Sequence, residues 1–292
     1  MQIVRTERNS KRTVRRNRRR GLLAVLFFLL LPYVSSLLLQ PPETAKQQTT
    51  EEFMVGALAA VIPGHYQKET IKAQAVILRS IAGKEGKDAM AYLDEAGRKV
   101  LWEQDFETNE EKFWQAARET AGIVLEKEGE KINPPYFRIS AGKTREGNEI
   151  WPDGRFSWCK SVDCPYNLEA EDYLQKVCVK KSVFLRKMSQ LGVVAEEKPI
   201  ELILTRDSAG YVLFLTCAGQ YLEGERFREI FGLPSSCFWV SVQDKEVVFT
   251  TRGMGHGLGF DQYGANLLAG SGMDYQELLY VFFDGVTLEK VE

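Results

Sequence analysis

Histidine is scarce in this chain: His65 and His256 are the only two among 292 residues. They lie far apart in sequence and far from the Cys159/Cys164 pair, which leaves little to build a histidine-containing metal centre there. Cysteine is sparse as well, and its count of five is odd, so at least one thiol is free, paired outside the chain or bound to something else. Cys159 and Cys164 have C-x4-C spacing with Cys178 nearby, yet no second pair has ligand spacing. A structural disulfide or a buried thiol is therefore favoured over zinc, for which Cys159 and Cys164 are weak candidates. Internal repeats and low-complexity segments are missing. So is a positive body: the formal net charge is −2, and nine cations are packed into Arg5–Arg20 against the single acid Glu7. The remainder is acidic, which gives no support to nucleic-acid binding. Nucleotide loops are absent too. Around Gly253, Gly255, Gly257 and Gly259, the G-x-G-x-x-G count lands on Leu258 or Phe260, and no lysine completes a P-loop.

What is present begins with topology. After the basic segment 1–20 comes "GLLAVLFFLLLPYVSSLLL", residues 21–39, without a charge. About 20 apolar residues span a bilayer core, and flanking cations place the N-terminus in the cytoplasm. The run is longer than a signal-peptide core and offers no good small-x-small cleavage site. The expectation is a single-pass anchor in the cell membrane, with the body outside. Residues 40–50, "QPPETAKQQTT", read as a linker, and the folded body is 51–292.

Within the body, Thr50 caps a helix through "FMVGALAAVI" that must stop before Pro63. A second helix spans about 67–82, with Ile71, Ala75, Leu78 and Ala82 on one face and Lys72 and Arg79 on another. Residues 113–121 are predicted helical, and 123–127 a strand. Residues 173–188 are partly helical. Residues 200–206 and 211–216 read as a hairpin around "DSAG". A short helix over 223–231 ends at Gly232, and 247–252 is a strand. Helical "NLLAG" and "YQELLYVFF" close the chain. Scattered strands and helices argue for an α+β fold, in one body or two lobes.

Two stretches carry a more specific signal. "GMGHGLGFDQYGA", residues 253–265, resembles the C-terminal signature of the SpoIID/LytB family, where G-x-G-H-G-x-G-x-S-Q-Y-G-A is typical. "AAVIP", an eight-residue spacer and "KAQAVILRS" resemble that family's A-A-E-M-P and K-A-Q-A-V-A-A-R-[ST]. "YFRISAGKT" is similar to its F-H-S-T-S-G-G-K-T, "CKSVDCP" to its L-K-S-V-D-S-P, and "LEGERFREIFGLPSSCFWV" to the segment before its last strand. The likeness covers essentially the whole body.

The resemblance implies a lytic transglycosylase of peptidoglycan glycan strands. Such enzymes act in the engulfment step of sporulation with a SpoIIP-like amidase and a SpoIIM-like membrane protein, in a Gram-positive source. No cofactor is expected beyond the weak zinc candidates Cys159 and Cys164. One carboxyl can first protonate the glycosidic oxygen and then take the proton of the sugar's own 6-hydroxyl. In the family that carboxyl is the glutamate of A-A-E-M-P, and here Val61 stands in its place. The chain departs again at Phe137 and Arg138, where the family has histidine and serine.

Three readings follow. The first is a domain that binds glycan or partner enzymes without cleaving. The second is an enzyme with a relocated acid, Asp261 foremost, with Glu69 and Glu52 weaker. The third is a structural partner in a membrane complex. Lys72, Arg79, Lys143, Thr144, His256, Gln262 and Tyr263 match family positions and are candidate substrate-binding residues. His65 falls in the spacer and is expected at the surface. Most of the tryptophans are expected in the core.

Overall fold

The first helix, α1 (Thr50–Val61), takes Thr50 as its first residue, one position later than a cap would stand, and stops before Pro63 as the sequence requires. Glu51 and Glu52 lie in its first turn, favourable for the helix dipole. Its last backbone bond runs from the Ile62 N–H to the Leu58 carbonyl, and Pro63 prevents a further turn. The coordinates come from a computed structural model and describe residues 49–193 and 201–291. The predicted basic segment, the apolar span and all but the end of the linker lie outside the described residues. Among the described residues no helix is long and apolar enough to cross a membrane.

Helix α2 (Lys68–Glu85) runs through the centre, and every residue from Ala73 to Ser80 is buried. Helix α3 (Glu95–Trp102) is capped by Asp94, whose carboxylate accepts from the Gly97 N–H. Helix α4 (Phe106–Glu119) is longer than the 113–121 expected. Phe53, Met54, Leu58, Ile71, Leu78, Trp102 and Phe113 join α1 to α4 in one apolar core.

Strand β1 (Ile123–Lys127) follows, with β2 (Glu130–Lys131) antiparallel beside it. Strand β3 (Tyr136–Phe137) and the short helix α5 (Gly147–Ile150) lead through a long connection to β4 (Leu174–Lys180) and helix α6 (Lys181–Gln190). The segment expected to be partly helical therefore divides into a strand and a helix. Strands β5 (Leu202–Arg206), β6 (Val212–Cys217) and β7 (Gln220–Glu223) form an antiparallel sheet, which includes the expected hairpin. Helix α7 (Gly224–Phe231) ends on Gly232 in the left-handed region.

Strands β8 (Phe238–Val242) and β9 (Glu246–Arg252) pair with β4 in the order β4-β9-β8. Phe184, Phe227, Phe231, Phe238 and Phe249 fill a second core behind them. Strand β10 (Phe260–Asp261) pairs in parallel with β3. Helix α8 (Gln262–Gly270), helix α9 (Tyr275–Phe282) and strand β11 (Thr287–Lys290) complete the chain, and β11 returns to β1. A third core holds Val76 and Ile77 of α2 against Leu125, Phe260, Leu278 and Phe282. Helices and strands mix without regular βα alternation, so the fold is α+β.

Candidate functional site

The C-terminal end of α1 opens onto a cleft of about 650 Å³. Its walls are Ala59 to His65, Leu101 and Trp102 at the end of α3, Asp105, Thr108 and Asn109 at the start of α4, and Arg138 just after β3. Val61 is half-buried at this mouth. The turn after it is held from behind: the Lys112 ammonium donates to the Gly64 carbonyl at 2.5 Å and to the Tyr66 carbonyl at 3.3 Å. Gly64 is needed there, because a Cβ would come within 2.7 Å of the Asn109 amide nitrogen and 2.8 Å of the Trp102 indole nitrogen.

Helix α8 clamps the same mouth. The Gln262 side-chain amide donates to the Val61 carbonyl and to Gln74 Oε1, both at 3.1 Å. The Val61 carbonyl is one of the acceptors that a helix end leaves unpaired. The Tyr263 N–H donates to the Arg138 carbonyl at 3.0 Å. Tyr66 is buried against this junction, and burial pushes its phenol up to about 12, against the opposing pull of Arg138.

The two halves of the SpoIID-like pattern thus meet in space, "AAVIP" against "QYGA". The family model for Stage II sporulation protein, SpoIID, matches residues 42–126. Stage II sporulation protein D of Bacillus amyloliquefaciens is 27% identical over 260 residues, covering 83% of this chain and 74% of that protein. Its counterpart in Bacillus subtilis is 26% identical, covering 83% and 75%. An uncharacterized protein of Brachyspira hyodysenteriae is 22% identical, covering 82% and 66%. The chain is similar to SpoIID proteins over most of its length.

The SpoIID pattern supplies a set of candidate residues, and the structure sorts them. Asp261 does not line the cleft. It is fully buried, its Oδ1 caps α8 by accepting from the Gly264 N–H at 3.2 Å, and its Oδ2 accepts from the Ser140 N–H at 3.3 Å and from Asn167 Nδ2. Burial pushes this carboxyl above its ordinary value. The physical objection to Asp261 as a relocated acid is position: every oxygen is engaged and none faces the cleft. Glu69 is held by Lys72 and the Tyr275 N–H, and neither Glu69 nor Glu52 is among the lining residues.

Lys72 and Arg79 also lie away from the cleft. Lys72 pairs with Glu69 at 3.0 Å and Glu119 at 3.2 Å, and its ammonium sits 4.6 Å from the centre of the Tyr275 ring. Burial lowers its pKa, but the two carboxylates outweigh that and leave it raised. Arg79 is buried, donating to the Ala117 carbonyl at 2.6 Å and pairing with Glu51 at 3.3 Å. Their shared face is turned onto α4, neither solvated nor in the cleft. Thr144 is buried and ties two backbone segments, donating to the Lys160 carbonyl and accepting from the Val162 N–H. Lys143 is half-buried and pairs with Asp163 at 3.6 Å. His65 lines the cleft and is exposed.

His256 is half-buried beside Phe137, with Nδ1 accepting from the Leu258 N–H at 3.1 Å. Desolvation lowers its pKa, so the ring is held neutral. Beneath its loop lies a cluster that sequence reasoning missed. Arg145 Nε donates to Asp207 at 2.5 Å, and its Nη1 donates to Glu225 at 3.3 Å and to the His256 carbonyl at 3.2 Å. Its guanidinium lies 5.2 Å from the centre of the Tyr211 ring. Glu225 would be raised by burial, but hydrogen bonds from Ser236 and Arg228 bring it below the usual range. The only signal in the sequence was the arginine directly after "GKT".

Cys159, Cys164, Cys217 and Cys237 are buried free thiols, and Cys178 is exposed. Burial pushes the Cys159 and Cys164 thiols up. Among the described residues no group of three histidine, cysteine, aspartate or glutamate side chains could hold a metal ion.

Proposed function

We propose that this chain is a sporulation protein of the cell wall that binds peptidoglycan glycan strands in the Val61 cleft without cleaving them. Similarity to SpoIID proteins supports the setting. The observation that carries the binding role is the cleft itself: it opens at the family's acid position, is walled by Trp102, Asn109 and Arg138, and has valine where the proton donor belongs. A missing general acid costs about 10²–10⁴-fold in rate. Residues 21–39 anchor the chain in the cell membrane with the body outside, where a SpoIIP-like amidase and a SpoIIM-like membrane protein are its expected partners in engulfment.

The competing reading, an active enzyme, has one specific observation in its favour. Among the described residues that line the cleft, Asp105 is the only carboxylate. One experiment separates the two. Full-length protein in detergent is incubated with glycan strands stripped of stem peptides, and bound strand and anhydro-sugar ends are measured. The parent retains strands and releases no anhydro product. Val61→Glu restores release by roughly 100-fold or more over the parent background. Failure of the parent to retain strands refutes the binding role. Product release by the parent that is lost in Asp105→Asn establishes the enzyme instead.

A further inference from the structure

A second cavity, of about 480 Å³, lies among the start of α1, the end of α2, β1 and β2, and it shares no lining residue with the Val61 cleft. Its lining is of two kinds. Phe53, Met54, Ala82, Val124 and Val291 are apolar, while Arg79, Lys87 and Lys131 bring three cations against the single carboxylate of Glu51. In an acidic body, this local excess of positive charge runs against the average.

The partners of these cations are incomplete. Arg79 donates through Nη2 to the Ala117 carbonyl at 2.6 Å and pairs with Glu51 at 3.3 Å, but its Nε–H is buried and has no acceptor. Lys87 is exposed, and its ammonium lies 5.1 Å from the centre of the Phe53 ring. Lys131 is half-buried, and its Nζ lies 3.8 Å from where a Cβ on Gly83 would stand. Among the described residues no carboxylate forms an ion pair with either lysine. The nearby Glu85 is taken by the Asn133 amide, and Lys84 by the Lys131 carbonyl. Glu51 offsets one of the three lining cations and leaves two positive charges on a partly apolar cavity.

We propose that this cavity binds an anionic phosphodiester that carries an apolar chain, the chemistry of an acidic membrane phospholipid. The two non-ester oxygens of a phosphodiester share one negative charge and accept from several donors at once, which suits two ammoniums and an arginine N–H. Ammoniums on flexible stems can close on such a group without a fixed angle. A chain attached to the phosphate has Phe53, Met54 and Val124 to lie against, and each CH₂ removed from water adds to the affinity. A zwitterionic head fits less well, because its own cation meets Lys87 and Lys131. The choice of lipid as the source rests on the proposed membrane anchor: only residues 40–49 separate the apolar run 21–39 from Thr50 in the cavity wall. The site is independent of glycan binding in the Val61 cleft.

The test uses full-length protein in a neutral detergent and an amine-acetylating reagent, with three probes: short-chain phosphatidylglycerol, phosphatidylcholine with the same chains, and glycerophosphoglycerol, which is the first head without chains. Acetylation of each lysine is read by mass spectrometry, with the exposed Lys176 of β4 as internal control. Phosphatidylglycerol protects Lys87 and Lys131 at about tenfold lower concentration than either other probe, less so as salt rises, and leaves Lys176 reactive. Lys87→Gln raises the concentration needed to protect Lys131 by roughly tenfold, and Lys131→Gln does the same for Lys87. Unchanged protection in both variants overturns the proposal. Equal protection by phosphatidylcholine overturns the selectivity for an anionic head. Equal protection by glycerophosphoglycerol makes the ligand a chainless phosphate and overturns the lipid. Protection by none of the probes, or of Lys176 to the same degree, removes the site and leaves glycan binding in the Val61 cleft standing.

Discussion

The Val61 cleft and the buried cluster under the glycine-rich loop are built on opposite principles. In the cluster, Arg145, Asp207, Glu225 and His256 satisfy one another, and Tyr211 fills the remaining space. In the cleft, Arg138 and Asp105 face open volume, and the Trp102 N–H has no partner. Both regions contain family-signature residues. One is a junction that holds the loop in register, and the other is a surface left available for a ligand. A signature residue therefore says where to look, and its partners decide whether it binds substrate or holds the frame.

That contrast is broken most severely at Arg145. Truncation to alanine leaves Asp207 buried without its cation and removes a partner of Glu225. The expected loss is about 3–5 kcal/mol of stability, read from chemical denaturation. A loss below about 1 kcal/mol would show that the cluster is not what holds the loop. Gly257 comes next. It has φ of 81°, and a Cβ would lie 2.3 Å from Tyr211 Cζ. Gly257→Ala combines an unfavourable backbone with overpacking, each costing about 1–3 kcal/mol, and its melting temperature should fall accordingly. Gly272 also has positive φ, but a Cβ there would meet no atom within 4 Å, so Gly272→Ala should cost only the backbone part.

Local structure was legible where one segment determines it. Thr50, the following acids and Pro63 define α1 without help from elsewhere, and Gly232 marks the end of α7. The candidate site was less legible because its walls come from distant segments. Lys72 and Arg79 were correctly placed on one helical face, but what covers that face is α4, read only from Phe113 onward. Their partners Glu119 and the Ala117 carbonyl belong to that helix. Asp105, Trp102 and Asn109 reach the cleft by the same packing. Asp261 looked like an acid gained in a loop, but whether an aspartate caps a helix or faces a ligand depends on where the helix begins. The Arg145 cluster joins residues 62, 80 and 111 positions apart, beyond any local pattern.

Asp261 sharpens the contrast with the smallest expected effect. Asp261→Asn keeps the shape and one acceptor oxygen but loses the other, a cost of about 1–2 kcal/mol at acid pH. The sign of the pH dependence follows from burial. The folded carboxyl has a pKa above the ordinary 3.8, so the folded state holds its proton more tightly than the unfolded chain does. Its contribution to stability is full below 3.8 and declines as pH rises through the folded value. The asparagine variant lacks this decline. The stability gap between parent and variant should therefore narrow from acid to neutral pH, measured by denaturation at several pH values. A gap that widened instead would mean that the ionised carboxylate is the form the fold prefers, with the Gly264, Ser140 and Asn167 donors outweighing desolvation. Asp261 would remain a frame residue in either case, because its oxygens face the α8 cap and not the cleft.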